Sequence, residues 1–114
     1  DFKSFKLKNS FFAMTAHIIF RDIDPINTVT HSKKMIKIIR NHIRFKNLII
    51  SDDLSMKSLK YSTKLNTTKA FKAGCNLALH CNGNLREMNI VAENSPKVNA
   101  FILKKTSEFY KILS

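Results

Sequence analysis

The sequence predicts an α/β protein built on parallel strands. Three observations carry this. Apolar runs and amphipathic stretches follow one another in the order strand–helix–strand–helix–strand–helix–helix, and such alternation implies parallel strands with helices outside. The apolar runs are continuous rather than alternating with polar residues, as strands covered on both faces are. Only three such runs occur in the 114 residues, so the sheet has two open edges and reads as part of a larger one.

Asp1 to Phe5 reads as the tail of a helix or a turn. "SFFAMTAHIIF", Ser10 to Phe20, is a long apolar run with β-forming ends and is expected to be a buried strand. "RDIDPINTVTHS" is a loop broken by Pro25, and Thr30 or Ser32 can cap the helix that follows. In "KKMIKIIRNHI", Met35, Ile36, Ile39 and Ile43 share one helical face, while Lys33, Lys37, Arg40 and Arg44 fall on the other. "NLIIS" is a short continuous strand, and "DDLSMKSLKYST" is a loop or short helical turn. "TKLNTTKAFKAG" reads as a weak helix ending at Gly74. "CNLALHC" is a third strand, punctuated by "NGN". "LREMNIVAE" is helical, with Leu85, Met88 and Val91/Ala92 on one side, and Pro96 stops it. "KVNAFILKKTSEFYKIL" is a last amphipathic helix with Val98, Phe101, Ile102, Phe109, Ile112 and Leu113 facing inward.

The composition narrows the function classes. Hydrophobic residues make up 44% of the chain, enough for a packed core and too much for a disordered tail. No apolar run approaches the roughly 20 residues that span a membrane, and no signal peptide is visible. The chain begins without Met, as a piece of a longer protein would. Net charge is +12, from 20 Lys+Arg against 8 Asp+Glu. The basic residues are spread from Lys3 to Lys111, and no helix-turn-helix, zinc or RNA-recognition motif accompanies them, so a nucleic-acid partner is not expected. Cys75 and Cys81 would sit ~20 Å apart at the two ends of a strand, too far to bridge, and a reducing cytoplasm is expected. His17, His31, His42 and His80 show no metal spacing among themselves or with the cysteines.

Chemistry is expected at the carboxyl ends of the strands, which lie on one side of a parallel sheet. Those ends are His17 to Asp22, Ser51 to Asp53 and His80 to Asn82. A carboxylate immediately after a buried strand is placed to react. It also suits a loop or helix cap. Asp53 fits the second role well, since it precedes Leu54-Ser55-Met56, and Asp22 and Asp24 in "RDIDP" read as turn formers.

The segments "MTAHIIF…DIDP", "LIISDDLSMK" and "AGCNLALHCNG…EM" occur in that order and at matching spacing. Together they resemble the carboxyl-terminal part of the bacterial cytosolic β-N-acetylglucosaminidases of glycoside hydrolase family 3, and "DFKSF" resembles the stretch just before those strands. The resemblance covers residues 1 to about 95. It implies a partial (β/α)8 TIM barrel, with residues 1–114 supplying about its last three strands. It further implies a retaining exo-hydrolase that removes terminal N-acetylglucosamine from peptidoglycan-derived muropeptides, with Asp52 as nucleophile and no metal or organic cofactor. His17, Met56 and Asn82 are the pocket candidates, with packing as the competing role for His17 and likewise for His80. The family's acid/base His lies on a loop after a "KHFPGHG" segment, and neither is among these residues.

Three departures from the family pattern stand out. "RFKN", Arg44 to Asn47, replaces Gly-Phe-Asp-Gly, which makes Asn47 the expected site of positive φ. "AGCN" replaces "AGCD", so Asn76 removes a carboxylate. A helix-opening Pro is replaced near Lys33. The expected partners are the muropeptide sugar and an amino-terminal half of the barrel, with the chain inactive by itself. The alternatives are a noncatalytic remnant that binds a partner through its sheet edges, and a small basic nucleic-acid-binding domain.

Overall fold

The computed structural model describes residues 10–114. The expected opening turn at Asp1 to Phe5, and "DFKSF" with it, lie outside the described residues. Three parallel strands form one sheet in the order β1-β2-β3: β1 Phe12–Met14, β2 Leu48–Asp53 and β3 Leu77–Leu79. β2 is central. Phe12, Ala13 and Met14 stand opposite Leu48, Ile49 and Ile50, and on the other side Ile50 pairs with Leu77.

Four helices follow the expected alternation: α1 Lys33–Asn41, α2 Thr63–Ala73, α3 Leu85–Glu93 and α4 Ala100–Leu113. Each opens on a side-chain cap that satisfies a free backbone N–H of the first turn. Ser32 accepts from Met35 N–H, Ser62 from Leu65, Asn84 from Glu87 and Asn99 from Ile102. α2 stops at Gly74, whose φ of 124° suits glycine and whose N–H returns to Ala70 and Phe71 carbonyls.

The core lies between the sheet and the helices. Ile49 from β2 packs with Ile36 of α1, Ala70 and Ala73 of α2, Val91 of α3, and Phe45, Leu54, Leu59 and Cys75 from the connections. Ala13 and Ala78, on the flanking strands, pack against the same cluster. Burying a side chain such as Ile49 contributes about 2 kcal/mol. By the alternation of a strand, Phe12, Met14, Leu48 and Ile50 face the other side of the sheet.

Several expectations are corrected. Ser10 to Phe20 is not one buried strand. Only Phe12–Met14 pairs with β2, and Met14 is 57% exposed. Beyond Thr15 the backbone turns to bond residues 29 and 30 instead (Val29 N–H to Ile18 O, Thr30 N–H to Ala16 O), and a turn of 3-10 helix, Val29–His31, forms there. α4 starts at Ala100 rather than Lys97. Its expected inward face is largely open: Ile102 is buried, while Val98, Phe101, Ile112 and Leu113 are exposed. Phe109 packs against the rings of Phe11 and Phe12. On α3 only Val91 is buried, and Leu85, Met88 and Ala92 are exposed.

Positive φ falls on Arg44, at 60°, not on Asn47. Asn47 instead donates its side-chain amide to the Ser10 carbonyl. Nor does Arg40 sit on a solvated face. Its guanidinium donates to the carbonyls of Phe45 (2.9 Å) and Asn47 (2.6 Å) and to Asn76 Oδ1 (2.8 Å), and lies between the rings of Phe45 and Phe101. It ties the end of α1 to the starts of β2 and β3.

Candidate active site

The carboxyl ends of β2 and β3 meet at an irregularity in register. Ile50 pairs with Leu77 and Asp53 with Leu79, so three steps along β2 match two along β3. β2 therefore carries one extra residue in the Ser51–Asp52 step. Such a bulge changes which way the following side chains point, and bulges concentrate beside active sites. Ser51 closes the gap: its buried Oγ accepts the Leu79 N–H at 3.0 Å, where a ladder carbonyl would otherwise stand. The ladder resumes with Leu54 N–H on Leu79 O at 2.8 Å.

The two adjacent acids are consequently unlike. Asp53 is fully engaged. Its Oδ1 accepts from Ser55 N–H (3.0 Å), Ser55 Oγ–H (2.8 Å) and Cys81 N–H (2.9 Å), which staples β2 to the segment after β3. Burial opposes its charge, but these bonds outweigh that cost and hold the carboxyl below its usual range. Asp53 is thus a structural tie, though it caps no helix. Asp52 is only partly buried. Its Oδ1 accepts the Asp53 N–H at 2.8 Å, and among the described residues no other hydrogen bond reaches its carboxylate. Desolvation and the negative charge of Asp53 and Asp52 raise the Cys81 thiol pKa, so all three groups share this end of the sheet.

His17 lies between the end of β1 and the end of β2. Its Nε2 is 2.8 Å from the Asp53 carbonyl, and its Nδ1 is 2.8 Å from Thr30 Oγ1. Met56 is exposed, and its N–H also donates to the Asp53 carbonyl, at 3.2 Å. Asn82 is exposed in the β3–α3 connection, donating to Glu87 Oε2 at 2.8 Å and accepting from Asn84 N–H. Its amide is used to build that loop. His80 is almost fully buried, with Nε2 3.5 Å from Glu87 Oε1. The hydrogen bond from Asn82, aided by those from His80 and Thr63, lowers the Glu87 pKa.

The structure thus brings His17, Asp52, Asp53 and Met56 to one strand end, while Asn82 and His80 serve the neighbouring loop. Thr15 and Glu87 were not singled out from the sequence, and Thr30 was read only as a candidate cap, a role that Ser32 takes. The hydroxyls carry no local signal beyond polar residues inside an apolar stretch. The signal at Glu87 was its place three residues after the cap Asn84, in the first turn of α3.

This arrangement defines a class: a parallel α/β unit that gathers polar and acidic side chains at the carboxyl ends of its strands. The profile of the Glycosyl hydrolase family 3 N terminal domain matches residues 6–103, and the chain belongs to that family. A protein of Nitrosomonas eutropha named Beta-hexosaminidase is 39% identical over 71 residues, covering 60% of this chain and 20% of that protein. The crystal structure of the β-N-acetylglucosaminidase from Thermotoga maritima superposes with a TM-score of 0.63 at 30% identity, over 73% of this chain and 19% of that one. A β-N-acetylhexosaminidase structure from Beutenbergia cavernae shares the fold, with a TM-score of 0.66 at 22% identity over 74% of this chain and 26% of that one. The chain spans about a fifth to a quarter of these relatives.

Proposed function

We propose that this chain is the nucleophile-bearing portion of a retaining β-N-acetylglucosaminidase. Its substrate class is the terminal N-acetylglucosamine of peptidoglycan-derived muropeptides, and its place is the cytoplasm, which suits two free cysteines. The observation that carries the reading is the inequality of the two acids. Asp53 is consumed by structure, whereas Asp52 is anchored, among the described residues, by a single backbone N–H. A nucleophilic carboxylate needs that combination of a fixed position and a free oxygen.

The proposed reaction is a double displacement. Asp52 attacks the anomeric carbon as the bond to the leaving oxygen breaks, giving a covalent glycosyl-enzyme. A general acid protonates the leaving oxygen, then acts as base on the water that releases the sugar. That acid/base group comes from polypeptide outside these 114 residues. So do the remaining strands of a (β/α)8 barrel, which close the ring by joining the open edges of β1 and β3. An apolar cleft of about 410 Å³, lined by Phe12, Met14, Ile18, Val29, Met35 and Ile39 among others, lies at the β1 edge and suits such an attachment there.

The test joins this chain to the amino-terminal portion of a β-hexosaminidase relative and follows hydrolysis of a chromogenic N-acetylglucosaminide. The hybrid is expected to be active, the isolated chain inactive, and the hybrid's Asp52→Asn variant at least about a thousandfold slower. A well-folded hybrid without activity, or one indifferent to Asp52→Asn, overturns the proposal.

A further inference from the structure

We propose that His17 is a positioning residue for Asp52, acting through the backbone at the end of β2. The inference rests on the reading of Asp52 as nucleophile. A carbonyl oxygen can only accept, so the 2.8 Å contact with the Asp53 carbonyl requires the proton on His17 Nε2. In the neutral ring Nδ1 then accepts, and Thr30 Oγ1–H, also at 2.8 Å, is its donor. Thr30 has one hydroxyl proton and two acceptors in reach, His17 Nδ1 at 2.8 Å and the Ala16 carbonyl at 3.2 Å, and the shorter contact takes it. The 2.8 Å contact between Thr15 and Thr30 must therefore run from Thr15 Oγ1–H to Thr30 Oγ1.

The result is a directed chain from Thr15 through Thr30 and His17 to the Asp53 carbonyl. Both hydroxyls are buried, with Thr30 0% exposed. Every link except the last is a side chain held in a packed site, so the ring has one orientation and one tautomer.

The target of the chain is the residue that holds Asp52. Asp53 presents its N–H to Asp52 Oδ1. Its own carboxylate is tied to Ser55 and Cys81, and its carbonyl is tied to His17 and Met56 N–H. Asp53 is thereby held on both its side chain and its carbonyl, and the N–H that seats Asp52 cannot swing. The bulge makes this support necessary, because a β2 end with one unmatched residue lacks part of the ladder that would otherwise hold it. Among the described residues, His17 is the only support of the Asp53 backbone that comes from the segment following β1, 36 residues away. It touches no reacting atom and acts by geometry.

The test uses the hybrid described above, with His17→Phe and His17→Gln, together with long-range proton–nitrogen NMR of the native chain. The ring of His17 is expected as the Nε2–H tautomer with a slowly exchanging proton. His17→Phe should lower kcat about a hundredfold, the scale of a small misplacement of a catalytic group, with KM within about threefold. The glutamine amide can donate to the same carbonyl, so His17→Gln should recover most of kcat at equal thermal stability. A purely structural histidine would instead move stability and leave the kcat-to-KM split alone. An Nδ1–H tautomer overturns the inference whether or not the variants fold. So does an active hybrid whose kcat is indifferent to His17→Phe. A folded hybrid inactive even with native His17 overturns the functional reading, and this inference with it.

Discussion

The contact between Arg40 and Asn76 gives a sharp test of what holds the amino-terminal side of the sheet. Asn76 Oδ1 accepts two bonds of 2.8 Å, one from Arg40 Nη2 and one from Ile49 N–H. Ile49 is 1% exposed in the central strand, so water cannot replace that acceptor. Truncation to Asn76→Ala leaves its N–H unpaired at a cost of about 1–3 kcal/mol. The lost bond to a partly solvated guanidinium adds under about 1 kcal/mol. The sum, about 1–4 kcal/mol, lowers the melting temperature by roughly 5–15 °C for a chain of this size. Asn76→Asp behaves oppositely. It keeps the Oδ1 acceptor for both bonds and places a negative charge against Arg40. An attraction of about 4 kcal/mol at an effective dielectric of 20 is largely offset by desolvation, leaving a net gain of about 1 kcal/mol. Arg40 holds the new carboxyl below its unfolded pKa. The gain is therefore present above the unfolded aspartate value and disappears as pH falls through the lowered folded one. Urea unfolding at neutral and acidic pH measures all three proteins. An Asn76→Ala variant within about 0.5 kcal/mol of the native chain, or an Asn76→Asp variant less stable than it at neutral pH, would refute the reasoning.

Other outcomes follow from single residues. Gly74→Ala should cost about 2–4 kcal/mol in denaturant unfolding, because its Cβ would stand 2.7 Å from Ile36 Cγ2 at a φ of 124°. Arg44→Gly should stabilise by up to about 1 kcal/mol by relieving a left-handed arginine, while Asn47→Gly should destabilise by losing its bond to Ser10. Burial lowers the pKa of His31, against the raising effect of its bond to the Asn66 carbonyl. The unfolded chain therefore takes up the proton first, and stability should fall as pH drops from about 6.5 toward the depressed folded value. His31→Gln should flatten that part of the pH–stability curve, and an unchanged slope would exclude His31 as its source.

The elements with local signals were legible. Ser32 before "KKMIKIIRNH", Gly74 after "KAFKA" and Asn84 before "LREM" mark three helices near their observed limits. The continuous apolar runs placed strands at Leu48 and Leu77, and three motifs in order pointed to the glycosyl hydrolase family that the comparisons then showed. The failures share one character. The run from Ser10 to Phe20 has strand composition throughout, yet it leaves β2 after Met14, although β2 continues to Asp53, and bonds residues 29 and 30 instead. α4 has an amphipathic pattern over its whole length, yet little of the described chain lies against it.

Periodicity, caps and breakers act between residues a few positions apart, so the sequence states them directly. They established an α/β chain with parallel strands, its four helices, and a pair of acids at a strand end. Which acid is free, where β2 bulges, which proton His17 carries and why Arg40 turns inward depend on partners 28 to 36 residues away. Such contacts are chosen by register and by the competition of buried polar groups for a limited set of partners. That competition is resolved only when the strands have met, and it is what separates Asp52 from Asp53.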